Sequence, residues 1–223
     1  MTRRDPRSSE HLDVFIPMNA LSPSRYWLVL PAIFSAFALG AVAAPTTPEP
    51  ADLLRQAVGE VLAISNAPGA TPASVRAGVR PLLETYFDPL LMTRRSIGPG
   101  WREFTVSQQQ RAVTLFTELV LQSYADKFTP GLHPVVVYRA TVELAPNRQE
   151  VPMSMTTDDG QIVGVAFRFE RTAAGWRIYD IVVEGVSLVA NYRSQFDSIF
   201  QTGGADGVLS ALESKIEENR SKP

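Results

Sequence analysis

The hydrophobic period of this chain changes at "TPGLHP" (residues 129–134), and that change dictates the class of fold. Upstream, apolar residues recur at helical spacing; downstream they alternate, as in strands with one face toward a core. "DLLRQAVGEVLAI" places Leu53, Leu54, Ala57, Val58, Val61 and Leu62 on one helical stripe. "TPASVRAGV" opens with Thr71 as a cap and Pro72 at the first helical position, and Pro81 is expected to end or kink that helix before "PLLETYF". Asp88 and Pro89 repeat the cap-plus-proline start, and Gly98 closes that segment. The capping box Thr105…Gln108 then starts the longest helix, expected to reach about Phe128.

Beyond the switch, "VVVYRATVELA", "QEVPMSMTT", "QIVGVAFRFERT" and "GWRIYDIVVE" read as strands, with "DDG" and "AAG" as turns. Such short connections predict an antiparallel meander. After Gly185 the helical period returns, is broken at Gly203–Gly204, and resumes in "DGVLSALESKIEEN". The expected class is α+β: a curved antiparallel sheet of about four strands, the N-terminal helical half packed on its concave face, and two C-terminal helices. The organisation expected is a helical part at 50–128, a sheet at 134–184 and helices at 186–219.

Parity within each strand sorts the side chains. Val163, Val165, Phe167 and Phe169 share a face of the third strand, and Val151, Met153 and Met155 share one of the second. In the fourth, Tyr179, Ile181 and Val183 fall on one side, and Trp176, Ile178 and Val182 on the other. This wide apolar face fits an ordinary core against the long helix. It also fits a cavity for an apolar ligand, to which methionines and large rings adapt.

Signals for chemistry are weak. "EGVSLV" lacks the second glycine of a nucleophile elbow, so Ser187 is a poor hydrolase candidate. His133 stands alone in a loop reading, and no glycine-rich phosphate loop is present. Arg94 and Arg95 read as a solvated helix face, or as a contact to a phosphate headgroup or acidic partner. Asp180 and Glu184 would be roughly 13 Å apart along a regular strand, too far to share a proton. They read as structural acids at a strand-to-helix corner.

From Tyr26 to Ala44 the chain carries no charge, with Arg25 before it and "AVA" near its end, the layout of a cleavable signal peptide over residues 1–43. A membrane anchor is the competing reading. Starting at Met18 would give a better leader than "MTRRDPRSSEHLDVFIP", which carries acids and two prolines. The remainder holds 17 basic against 20 acidic residues, which speaks against nucleic acid. With no cysteine there is no disulfide, thiol nucleophile, Cys-based metal site or lipid-modified tether, so the cleaved protein is expected free in solution, which in a double-membraned bacterium means the periplasm.

Three ordered stretches carry a family resemblance. "YDIVVEGVSLVANYRSQF", "YFDPLLMTRRSIGPGW" and "TVSQQQRAVTLFTELVLQSYADKF" closely resemble the MlaC family, also called toluene-tolerance proteins. The match covers about residues 50–219. The resemblance implies a sheet related to the NTF2-like fold and a periplasmic carrier that takes diacyl phospholipid tails between sheet and helices. It implies shuttling between an outer-membrane lipoprotein complex (MlaA-like) and an inner-membrane ABC transporter with a ring-forming MCE protein (MlaD-like). It implies no cofactor. A hopanoid-binding branch, HpnM, shares the fold and is the alternative; an NTF2-like isomerase using Asp180 in its cone is a further one.

On the carrier reading, the cavity is lined by Phe116, Leu119, Met153, Met155, Val165, Phe167, Phe169 and Ile178. Leu83, Tyr86 and Phe87 close it from the helical side. Asp180, Glu184, Tyr192 and Arg193 would hold the strand-to-helix corner, with a contact between Arg193 and a carboxylate.

Overall fold

The computed structural model describes residues 48–221 except 125, 126, 128, 158 and 159. The leader reading over residues 1–43 and the alternative start at Met18 therefore lie outside the described residues. Four helices come first: α1 (Pro50–Ser65), α2 (Pro72–Tyr86), α3 (Pro89–Ile97) and α4 (Val106–Ser123), with a 3-10 helix (Gly98–Glu103) between the last two. Each of the last three α-helices starts where the caps predict. Thr71 and Thr105 form reciprocal capping boxes with Ser74 and Gln108, and Asp88 accepts the Leu91 N–H at 2.8 Å. Pro81 does not end its helix, because α2 runs through it to Tyr86.

The strands are β1 (Val135–Tyr138), β2 (Val142–Ala145), β3 (Arg148–Thr156), β4 (Ile162–Thr172), β5 (Gly175–Val183) and β6 (Val186–Ser187). They form a curved, open antiparallel sheet in the order β1-β3-β4-β5-β6, with β2 also on β3. The expected first strand is thus broken into β1 and β2, and a short β6 is added. α5 (Leu188–Arg220) completes the chain; its backbone breaks at Gly204 (φ 58°, ψ −153°), so it is two helical segments, as expected.

Cross-strand partners lie on one face of a sheet, so the register defines both faces. One face is built from the rows Val136–Met155–Val163, Tyr138–Met153–Val165–Val183, Val151–Phe167–Ile181 and Gln149–Phe169–Ile178. The opposite face carries Val135–Thr156–Ile162, Pro152–Ala166–Val182 and the charged row Glu150–Arg168–Asp180. A β-bulge decides this sorting. Arg168 pairs with Asp180 but Phe169 with Ile178, leaving Tyr179 as the extra residue. Beyond it the parity of β5 flips, so Ile178, Ile181 and Val183 share a face, contrary to the expectation from simple alternation.

The helices divide between the two faces. α1 and α2 bring Leu54, Ala57 and Tyr86 onto the apolar rows. α3, the 3-10 helix, α4 and α5 form a second core around Ile97, Trp101, Phe116 and Leu212, to which the sheet contributes Tyr179. The expected packing of the whole helical half on one face holds for α1 and α2; α3 and α4 pack with α5.

Candidate functional site

The apolar face under α1 and α2 is the candidate site. Its centre is buried: Val151, Met153, Val165, Phe169, Trp176 and Ile178 pack with Leu54, Ala57 and Tyr86. Around them Val136, Met155, Val163, Phe167, Ile181 and Val183 point the same way yet are only half-buried. Polar contacts surround the apolar packing of α1 and α2 at the rim. The Tyr86 hydroxyl donates to Glu60 Oε1 at 2.8 Å, and Gln56 donates to the same oxygen at 3.0 Å. Arg55 lies 5.2 Å from the Tyr138 ring centroid. At the far end of α1, Asn66 Nδ2 donates to the Leu132 carbonyl at 2.9 Å and Gly131 N–H to the Ser65 carbonyl at 3.0 Å. Phe87 anchors the end of α2 by bridging to Ile178, and Asp88 N–H donates to the Ile178 carbonyl at 2.9 Å.

Burial, together with the nearby Glu60 carboxylate, pushes the Tyr86 hydroxyl from 10.0 up to about 12. The folded state therefore holds this proton more tightly than the unfolded chain. Its contribution to stability is complete below pH 10 and is lost as pH rises toward about 12. In urea titrations across that window, Tyr86→Phe should show a shallower fall of the midpoint with pH than the wild type. Equal slopes would show that Tyr86 ionisation is not coupled to folding.

Of the residues predicted from the sequence, Tyr86, Met153, Val165, Phe169 and Ile178 are buried in this cluster, and Phe87, Met155 and Phe167 border it. Leu83 is half-buried, but its neighbour Leu82 packs against the cluster. Phe116 and Leu119 are not brought to this face. Both lie in the other core, where Phe116 meets Tyr192 edge-on at 5.0 Å and Phe196 at 6.1 Å. The apolar stripe of α4 fits a helix partner as readily as a sheet, and α5 supplies one. Val151, Trp176, Ile181 and Val183 belong to the same face but were not named as lining residues; strand parity already grouped Val151 with Met153 and Trp176 with Ile178, whereas Ile181 and Val183 join them only through the bulged register.

Asp180 belongs to the opposite face. It is buried, accepts from Arg168 Nη1 at 3.1 Å and Ser187 Oγ at 2.6 Å, and receives the Val189 N–H at 3.0 Å. Ser187 in turn accepts the Ala190 N–H at 3.0 Å, so both side chains cap α5. Glu184 (φ 49°) and Gly185 (φ 80°) are the two-residue turn between β5 and β6. The Glu184 carboxylate accepts the Gly164 N–H, and its own N–H donates to the Gly164 carbonyl at 2.9 Å.

Among the described residues no carboxylate pairs with Arg193. Its guanidinium lies over Gly98, where a Cβ would come within 3.0 Å of Nε. Gly98 also has φ 74° and ψ −141°, a conformation open essentially to glycine. Gly98→Ala should cost about 1–3 kcal/mol in urea unfolding, and a wild-type midpoint would refute both causes. Arg94 is exposed, whereas Arg95 is partly buried, ion-paired with Glu170 and 4.1 Å from the Tyr179 ring centroid. His133 is exposed, with Nδ1 2.8 Å from the Gly131 carbonyl.

Among the described residues no group of three or more His, Cys, Asp or Glu could hold a metal ion, and no helix is long and apolar enough to cross a membrane. Between α4 and the end of α5 lies a separate cleft of about 420 Å³. Its carboxylates Glu118, Glu213 and Glu217 are matched by Arg80, Arg111 and Arg220.

This arrangement of meander, bulge and split helices meets a family model described as MlaC protein, which matches residues 55–214. The chain belongs to the MlaC family. It is 22% identical over 217 residues to the intermembrane phospholipid transport system binding protein MlaC of Haemophilus influenzae, covering 92% of this chain and 98% of that one. A solved structure of a phospholipid-binding protein from Ralstonia solanacearum, in complex with a phospholipid, superposes with a TM-score of 0.69 at 23% identity. It covers 76% of this chain and 97% of the other, and establishes the MlaC-like fold here.

Proposed function

We propose that this MlaC-family chain is a lipid carrier that seats the acyl tails of a diacyl phospholipid between the apolar sheet face and α1–α2. The observation that carries this reading is the rim of inward-facing apolar side chains, Phe167 and Ile181 among them, that the fold leaves half-buried. Such a rim leaves apolar surface on this face with which acyl tails can be covered. The phospholipid transport role of the Haemophilus relative and the phospholipid in the Ralstonia structure support the same ligand class.

Two tails of ~15 methylenes each carry an exposure cost in water of roughly 20 kcal/mol, so transport between membranes requires a protein that buries them. Binding is then apolar burial and needs no nucleophile. The carboxylate that an isomerase would need in the cone, Asp180, faces the other way and is engaged as a helix cap. On this reading the leader at residues 1–43 is cleaved, the remainder works in the periplasm, and it passes lipid between MlaA-like outer-membrane and MlaD-like inner-membrane complexes.

Native mass spectrometry of protein purified without detergent tests the core of the proposal. A stoichiometric diacyl phospholipid is the expected mass increment. A polycyclic lipid would move the protein to the hopanoid branch, and failure to take up phosphatidylglycerol or phosphatidylethanolamine on back-loading would overturn the carrier reading.

A further inference from the structure

Among the described residues eight large apolar side chains are exposed; Val135, Val137 and Ile162 share one corner of the sheet, and Val142 and Leu144 lie on β2, further along the same edge of β3. Val135 and Ile162 sit in one cross-strand row, 63% and 69% exposed, and Val137 beside them is 53% exposed. These three lie on the face opposite the candidate lipid site, so the lipid reading does not account for them. The corner is also an edge. β1 is a terminal strand, whereas the other end of the sheet is closed by the two-residue β6 running into α5. An apolar edge of this kind is a template for pairing.

The register of β1 sets what can pair with it. Arg139 N–H donates inward to the Pro152 carbonyl at 2.9 Å, so Val135 and Val137, two and four residues earlier, also turn their backbone groups toward β3. Val136 and Tyr138 turn theirs outward. We propose that β1 pairs antiparallel with β1 of a second copy of this chain, about a two-fold axis through Val137. In that register Val136 of one copy exchanges backbone hydrogen bonds with Tyr138 of the other, and reciprocally. Val137 meets its own counterpart at the close-packed position, and the stem of Arg139 lies over Val135 of the second copy.

A second copy fits better than a charged partner because β1, Val-Val-Val-Tyr, offers no charge to recognise. The antiparallel two-fold also places no like charges opposite one another across these residues. Pairing through a four-residue strand is small beside the ~1,000 Å² that a stable interface buries. The dimer is therefore weak and populated by concentration.

Sedimentation velocity of the mature protein from about 10 µM to about 1 mM tests this. The weight-average mass of wild type should rise toward twice the monomer. Val137→Lys, which sets two ammonium groups face to face on the axis, should remain monomeric throughout. Val106→Lys, at an exposed position on α4 away from the edge, should associate like wild type. Unchanged urea midpoints would confirm that both variants fold. A wild type that stays monomeric at all concentrations, or a Val137→Lys protein that associates normally, would overturn the pairing. Neither result bears on lipid binding, which native mass spectrometry reads separately.

Discussion

Phe167→Asp should strip bound lipid from the purified protein, lowering its occupancy by more than tenfold. Phe167 stands mid-row between Val151 and Ile181 on the apolar face and is half-buried, so an aspartate there folds with part of its surface in water. A tail seated on that row would have to desolvate the carboxylate, at several kcal/mol, which removes most of the gain from burying methylenes. Ile162→Asp is the matched control, since Ile162 is exposed on the opposite face, and it should retain wild-type occupancy. Full occupancy in Phe167→Asp, read by native mass spectrometry, would place the tails elsewhere in the fold.

The largest expected loss of stability comes from Asp180→Ala, about 3 kcal/mol. The carboxylate is 3% exposed and does three jobs: it pairs with Arg168, accepts from Ser187 and caps α5 through the Val189 N–H. Removing it leaves the buried helix start without its acceptor. Arg168 keeps Glu150 at 2.8 Å, which holds the cost to the lower part of the ~3–5 kcal/mol seen when a buried pair is broken. Asp180→Asn preserves an acceptor for the helix N–H but turns an amide toward the guanidinium, and should cost about 1–2 kcal/mol. Urea unfolding followed by the fluorescence of the buried Trp101 and Trp176 orders the three proteins. A loss below about 1 kcal/mol for alanine would show that Arg168 and the α5 start find other partners.

The same acid marks the boundary between local and distant information. Helix starts at Thr71, Asp88 and Thr105 were legible because a cap, a proline and a capping box act within four residues. The switch from helical to alternating period, the meander and the break at Gly204 were legible for the same reason. Which helix covers which face was not. α4 carries an apolar stripe that α5 or the sheet could have covered equally well, so Phe116 and Leu119 read as lining residues although they belong to the helical core.

The bulge at Tyr179 was invisible too. A one-residue insertion is defined only by pairing β5 with β4, and it reverses the side of every residue after it. Arg193 shows the same limit: its place over Gly98 depends on α3 meeting α5, not on the nearby acids in its own segment. The sequence by itself determined the class, the order of elements and their ends, because these follow from propensities and contacts a few residues long. Only the tertiary structure decided the two faces of the sheet and the membership of the candidate site, because those depend on register and on competition among equally apolar partners.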